Sequence, residues 1–279
     1  MQYSPTITMK DERILLIDAD SLLYYEMGAK SLEQATANID DRINSMLKAA
    51  NATRFAGFLT LDRCFRYNID NDYVYDGVSY KQNRKGGNKP IIFYALKEYL
   101  KREPYNFIGL KGLEADDAVG IYAQLVKDEG YIPIISSPDK DVLEQLPGEH
   151  YNYQKARIVK TSKLEAEKFL WKQVLIGDST DGIPGIQGIG PKTADKMLEL
   201  FNSFEEYEAP QLAVTEYIKK YGLREGITRF AETFNLVYIL RTEEEGTRIA
   251  ALPHISTLLT SNTLPDDQTS NDFFSGEWT

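Results

Sequence analysis

Apolar positions in the first half of the chain follow two alternating patterns: short continuous runs, and longer stretches with apolar residues three and four apart. Arg13-Ile14-Leu15-Leu16-Ile17 is a run of buried-strand type that stops at Asp18-Ala19-Asp20. From about Ser31 to Asn51, Leu32, Ala35, Ile39, Ile43, Met46 and Leu47 share one helical face. Phe55 to Leu61 predicts a second strand, ending at Asp62. Pro90 opens a helix to about Arg102, and Tyr105 to Gly109 predicts a third strand. Leu113-Glu114-Ala115-Asp116-Asp117 heads a helix reaching Asp128, and Ile132 to Ser136 predicts a fourth strand that runs into Pro138-Asp139-Lys140-Asp141. Strands alternating with helices predict an α/β fold with a mostly parallel central sheet.

After His150 the pattern changes. Tyr151 to Val159 reads as extended, and Ser162-Lys163-Leu164-Glu165 is a capping box starting a helix through about Ile176. A glycine-proline hairpin over 182–194 opens a helix from Pro191 to Phe201. A second capping box, Ser203-Phe204-Glu205-Glu206, opens a short helix, and helices near Leu212–Tyr221 and Ile227–Leu240 follow. The expected organisation is an α/β core over 1–160, a helical region over 161–260 and an acidic, poorly ordered tail over 261–279. The tail's mixture of acids and aromatics reads either as a docking peptide or as self-packing.

Composition narrows the chemistry. One cysteine, Cys64, leaves no internal disulfide or cysteine-rich zinc site, and two histidines, His150 and His254, leave little for histidine catalysis. Carboxylates, lysines, arginines and tyrosines must carry any reaction, with hard cations the matching metals. No apolar run approaches the roughly 20 residues of a membrane span, and the first residues lack a signal-peptide core. A cytoplasmic protein without a membrane partner is expected. The net charge of -10 argues against nucleic acid until its distribution is considered. Clustered acids neutralised by metal would account for much of it, and basic residues concentrate in Tyr80-Lys81-Gln82-Asn83-Arg84-Lys85.

The acids fall in register. Ligands bind beyond the carboxyl ends of parallel strands, and the predicted strands end at Asp18, at Asp62, at Glu114, Asp116 and Asp117, and at Asp139 and Asp141. One acid after a strand is commonplace as a solvated turn or a helix cap. Four consecutive cases on one edge repel one another unless cations sit among them. Downstream, Gly177-Asp178-Ser179-Thr180-Asp181 leads into Gly188-Ile189-Gly190-Pro191-Lys192, where free N–H groups of a turn and helix start suit a phosphate. Gly188 and Gly190 permit close approach or positive φ there. Lys81 and Arg84 can clamp a scissile phosphate and Tyr80 can stack on a base, although a solvated loop explains the same residues.

This set of motifs resembles the 5′-nuclease superfamily of flap endonucleases and 5′–3′ exonucleases, the phage-encoded exonucleases most of all. The match runs from about Ile14 to Ala194 and comprises Asp18, Asp62, Tyr80-Lys81-x-Asn83-Arg84, Leu113 to Asp117, Asp139-Lys140-Asp141 and Gly177-Asp178-x-x-Asp181-Gly182. The resemblance implies a PIN-like 5′-nuclease core, an arch over about 63–102, and a helix-three-turn-helix element that grips duplex backbone. It implies two Mg²⁺ ions, replaceable by Mn²⁺, and K⁺ at the hairpin. Asp18, Asp62, Glu114 and Asp116 would frame one metal, Asp139, Asp141, Asp178 and Asp181 the other, with Asp117 between them. The expected reaction is hydrolysis of DNA with a 5′ end or flap, and of RNA paired to DNA, with replication proteins as partners. Asp20 departs from many members, which carry a small or hydroxyl residue there.

Two rivals compete. Asp18-Ala19-Asp20 with Gly177 to Asp181 is similar to the haloacid-dehalogenase-type phosphatases, with Asp18 as nucleophile and Asp20 as acid/base. That reading leaves Asp62, Glu114, Asp116, Asp139 and Asp141 without a role. A non-catalytic DNA-binding module using only the hairpin would not need the acidic edge.

Overall fold

The computed structural model describes residues 11–61, 63–69, 80–81, 89–199, 201 and 208–261. Asp62, Arg84, the capping box at Ser203 and the tail beyond Ser261 lie outside these residues.

The first half forms strands β1 (Arg13–Asp18), β2 (Arg54–Phe58), β3 (Ile132–Ser136), β4 (Gly148–Asn152) and β5 (Arg157–Thr161). With the short β8 (Thr260–Ser261) they make one sheet in the order β5-β4-β3-β1-β2-β8. The central neighbours β2, β1, β3 and β4 are parallel, and β5 and β8 are antiparallel edges. Register aligns the carboxyl ends, with Asp18 opposite Phe58 and Ile17 opposite Ser136. Alternation along β1 decides the two layers. Leu15 and Ile17 pack with helices α1 (Asp20–Glu26), α2 (Leu32–Ala50) and α3 (Ile91–Leu100). Ile14 and Leu16 pack against α4 (Ala115–Asp128) and α5 (Lys140–Gln145) on the other face. The apolar face read from the sequence in α2 is the buried one, and Ser31 caps its start by accepting from Gln34 N.

A third core belongs to α6 (Lys163–Ile176), α7 (Pro191–Leu198), α8 (Glu208–Tyr221) and α9 (Leu223–Val237). Between α6 and α7 lies a minimal hairpin of β6 (Gly177–Asp178) and β7 (Ile183–Pro184). Its backbones pack too closely for side chains, since a Cβ on Gly185 would meet the carbonyl carbon of Ile176 at 2.1 Å. Beyond α9 the chain returns to the α/β core. Ile239, Leu240 and Ile255 join the layer around α4, a short α10 (Glu243–Thr247) packs there, and β8 closes the sheet edge.

Three sequence expectations change. Tyr105–Gly109 forms no strand and contributes one parallel bridge, Ile108 to Phe58, because β8 takes the neighbouring edge positions at Arg54 and Phe55. Tyr151–Val159 is not one extended run; Asn152 folds it into a turn by accepting from Gln154 N and Lys155 N. Helix α1, with Leu22 and Leu23 buried, begins directly behind the first acids, where no helix was expected.

Candidate active site

The acids read from the sequence, Asp62 apart, meet at the carboxyl edge of the sheet. Asp18 ends β1, is 5% exposed, and accepts from Ser137 Oγ at 2.9 Å. Ser137 follows β3 and also accepts from the amide of Asp139, so the ends of β1 and β3 share one hydroxyl. Asp139 caps α5 by accepting from Asp141 N, and Asp141 Oδ1 accepts from Gln173 Nε2 of α6 at 2.9 Å. Gln173 in turn accepts from Gln145, which binds the backbone of Val237 and Ile239. Asp178 and Asp181 come from the β6–β7 hairpin, and Asp116 from the first turn of α4. A cleft of about 300 Å³ is lined by Asp116, Asp141, Asp178 and Asp181 with Arg66 and Tyr80.

Protonation follows from burial and crowding. Burial, then the charges of Asp20 and Asp139, push the Asp18 carboxyl up to about 7. Asp141 is likewise pushed up to about 7, by burial and then by Asp139, Asp178 and Asp181. Asp116 lies well above the usual carboxylate range through burial, Asp117 and Glu114. Glu114 goes the other way: burial opposes ionisation, but Arg66 and Lys81 outweigh it and hold the carboxyl low.

Those two cations organise one end of the row. Arg66, in a 3-10 turn over Phe65–Asn68, is 2% exposed and forks onto Asp117 at 2.7 and 2.8 Å, with Glu114 at 3.0 Å. Lys81, itself in left-handed backbone (φ 57°), reaches Glu114 at 2.6 Å and Asp181 at 3.6 Å. Burial works against its charge, yet Glu114, Asp181 and Asp116 hold the ammonium above the ordinary lysine value.

Two of the expected site residues also make contacts inside the chain. Glu114, Asp116 and Asp117 bring oxygens within 4.8 Å of one another, but those of Asp117 are committed. They accept from Arg66, from Leu240 N and from Glu114 N, inside a fully buried pocket, so Asp117 also anchors Arg66. Tyr80 was expected to stack on a base. It is 4% exposed, edge-on to Tyr67, and its hydroxyl lies on Glu114 and Asp181. Its aromatic face is spent inside the protein.

At the hairpin, Gly188 takes φ 96° whereas Gly190 is extended at φ -100°, so only Gly188 requires glycine for its conformation. An added Cβ at either would meet nothing within 4 Å. Gly190 caps α7, Pro191 fills its first turn, and Lys192 beside them is exposed. Asp20 accepts from Thr60 N at 3.0 Å, and its carboxyl is raised mainly by burial; it links α1 to the end of β2 and is not free as the acid/base of a phosphatase. Sequence reasoning missed Arg66, Ser137, Gln145 and Gln173. Nothing local marks Arg66, because its partners lie about fifty residues away; Ser137 alone had a signal, standing in the polar run before Asp139.

A parallel α/β layer with an acid-lined carboxyl edge, followed by a helical unit with a short backbone hairpin, gathers its oxygen donors where open α/β sheets bind ligands. Comparisons with known proteins give the family. A family model described as 5′-3′ exonuclease, N-terminal resolvase-like domain, matches residues 13–172, and one described as 5′-3′ exonuclease, C-terminal SAM fold, matches 164–251. The chain belongs to the 5′-3′ exonuclease family. It is 33% identical to a 5′-3′ exonuclease of Aquifex aeolicus over 138 residues, 46% of this chain and 48% of that protein. With a 5′-3′ exonuclease of Bacillus subtilis it shares 24% identity over 220 residues, 71% of this chain and 73% of that one. The matched region thus spans about half of the Aquifex relative, and 14% of a DNA polymerase I from Rhizobium leguminosarum. Among solved structures, the bacteriophage T5 5′-exonuclease with bound zinc aligns at TM-score 0.56 and 18% identity, covering 81% of this chain and 86% of that one. A T5 flap endonuclease in a pseudo-enzyme-product complex with DNA and metal ions aligns at 0.54 and 16%, covering 81% and 99%. These structural likenesses establish the fold. Among the described residues no helix is long and apolar enough to cross a membrane.

Proposed function

We propose that the protein is a divalent-metal-dependent 5′ nuclease that hydrolyses phosphodiester bonds in DNA with a 5′ end or flap, and in RNA paired to DNA. The observation that carries this reading is the unneutralised part of the acidic row. Asp18, Asp139, Asp141 and Asp178 offer oxygen donors only, with Asp181 shared with Lys81, and Asp18 and Asp141 are pushed up to about 7 when no cation is present. Such a donor set suits hard cations, Mg²⁺ with Mn²⁺ as substitute. Glu114 and Asp116 complete it, with Asp62 included on sequence alone. Bound in pairs, such ions supply an activated water and spread the charge of the leaving oxygen.

The chain's own residues do the rest. Lys81 brings a positive charge to the edge of the acids, where a scissile phosphate would lie, with Arg84 as a second cation on sequence alone. Ser137 and Gln173 fix the carboxylates of Asp18 and Asp141 from behind. The N–H groups from Gly188 to Lys192, with open space before them, suit a duplex phosphate away from the cut. Replication proteins remain partners by family likeness alone.

End-labelled duplex, nicked, flapped and hybrid substrates, each with Mg²⁺, Mn²⁺ or chelator, test the reading. Metal-dependent release from the 5′ end supports it; undiminished cleavage in chelator, or release from the 3′ end, overturns it.

A further inference from the structure

Tyr153 directly follows β4, in the turn that Asn152 closes by accepting from Gln154 N and Lys155 N. Its side chain belongs to the core around Leu15 and Ile17 and is 6% exposed. Buried hydroxyls elsewhere have acceptors: Tyr105 has Asp40, Tyr122 has the Pro253 carbonyl, and Tyr217 has that of Val174. The hydroxyl of Tyr153 has none, and neither has the Nε of Arg42, whose guanidinium carbon lies 5.8 Å from the Tyr153 ring centre. An unpaired buried hydroxyl is a standing cost that phenylalanine would avoid with the same ring in the same space.

The surroundings indicate what the hydroxyl serves. Ser21 stands beside it as a donor toward the phenol oxygen, not as an acceptor for its proton, and the charges of Asp18 and Asp139 act on it. Burial first, then Asp18, hold the phenol above its ordinary range, so it stays a proton donor at any working pH. Metal-bound groups are habitually oriented by hydrogen bonds from behind. Ser137 does this for Asp18 from β3, whereas Tyr153 follows β4 at the same carboxyl edge, two residues beyond the Ser136–Tyr151 pairing, with its donor unused.

We propose that Tyr153 is a positioning residue for the Asp18–Asp139 end of the site, its hydroxyl donating to the oxygen ligands that gather there when a divalent cation binds. The inference rests on the nuclease reading above.

The test compares the full chain with its Tyr153→Phe variant. Calorimetric titration with Mn²⁺ is run beside thermal unfolding in chelator and steady-state cleavage. The variant should unfold in chelator at or above the wild-type temperature, bind Mn²⁺ on the order of tenfold more weakly, and lose kcat while KM for DNA is kept. A lower unfolding temperature in chelator would make the hydroxyl part of the metal-free fold and overturn the proposal. Mn²⁺ affinity equal to wild type overturns it as well, and leaves the nuclease reading intact. If the wild type itself binds no Mn²⁺, both fall together.

Discussion

The two ends of the acidic row are built differently. Around Glu114 and Asp117 the protein brings its own cations, with Arg66 buried among the carboxylates and Lys81 at their rim. Around Asp18, Asp139 and Asp141 the described residues form no ion pair, Lys140 acting on Asp141 only weakly: hydroxyl and amide donors hold the acids in place, and two of them take up protons near neutrality. A like-charge cluster with internal cations is complete as it folds. One without them is finished only by a proton or an added ion. On the reading proposed above, the Arg66–Asp117 clasp is scaffold and the remaining acids are receptor, and substitutions should separate them.

The largest effect is expected at Arg66. Arg66→Met leaves Asp117 buried without its counter-charge, and breaking such a pair costs about 3–5 kcal/mol. Urea unfolding in chelator should show that loss whether or not metal is later added. A variant as stable as wild type would mean that Asp117 is not held by Arg66.

Lys81→Ala comes next. It should lower single-turnover cleavage by on the order of a hundredfold, while duplex affinity measured in Ca²⁺ falls only modestly, one phosphate contact among several being lost. Normal cleavage once bound would move the catalytic cation elsewhere, first to Arg84.

Metal and pH sharpen the contrast further. Asp18 and Asp141 keep a proton to about 7 in the folded chain, whereas an unfolded aspartate loses it near 3.9. The folded state therefore binds more protons between those values, and metal-free stability falls as pH rises through that window. Glu114, held low by its cations, acts oppositely and loses its contribution only below the usual glutamate range. Melting in chelator should thus shift up by a few degrees from pH 8 to pH 5.5, and millimolar Mg²⁺ should raise the pH 8 value. A flat chelator profile would contradict the receptor assignment.

The smallest effect separates the two hairpin glycines. Gly188→Ala forces a side chain into positive φ at a cost of about 1 kcal/mol and should weaken duplex binding. Gly190→Ala keeps an allowed backbone and gives up only a cap preference, so it should cost less. Equal stability of the two variants would refute the difference drawn between them.

Much of the fold was legible because its signals are local. Ile14 to Ile17, the stripe from Leu32 to Leu47 and the capping box at Ser162 each carry their period or cap within a few residues, and each forms as read. The acids were legible for a related reason. A parallel sheet gathers whatever follows its strands at one edge, so strand order alone brings Asp18, Asp139 and the start of α4 together. Tyr105–Gly109 failed because a strand needs a neighbour, and β8, arriving from the far end of the chain, occupies the Arg54–Phe55 end of that edge.

The sequence by itself determined which residue types carry the chemistry and on which side of the sheet they stand, since period and strand ends are properties of consecutive residues. Only the tertiary structure decided which acids are compensated. A charge's partner depends on distance through space and on excluded water, so Asp116 and Asp117, adjacent in the chain, divide between an open cleft and a buried clasp on Arg66.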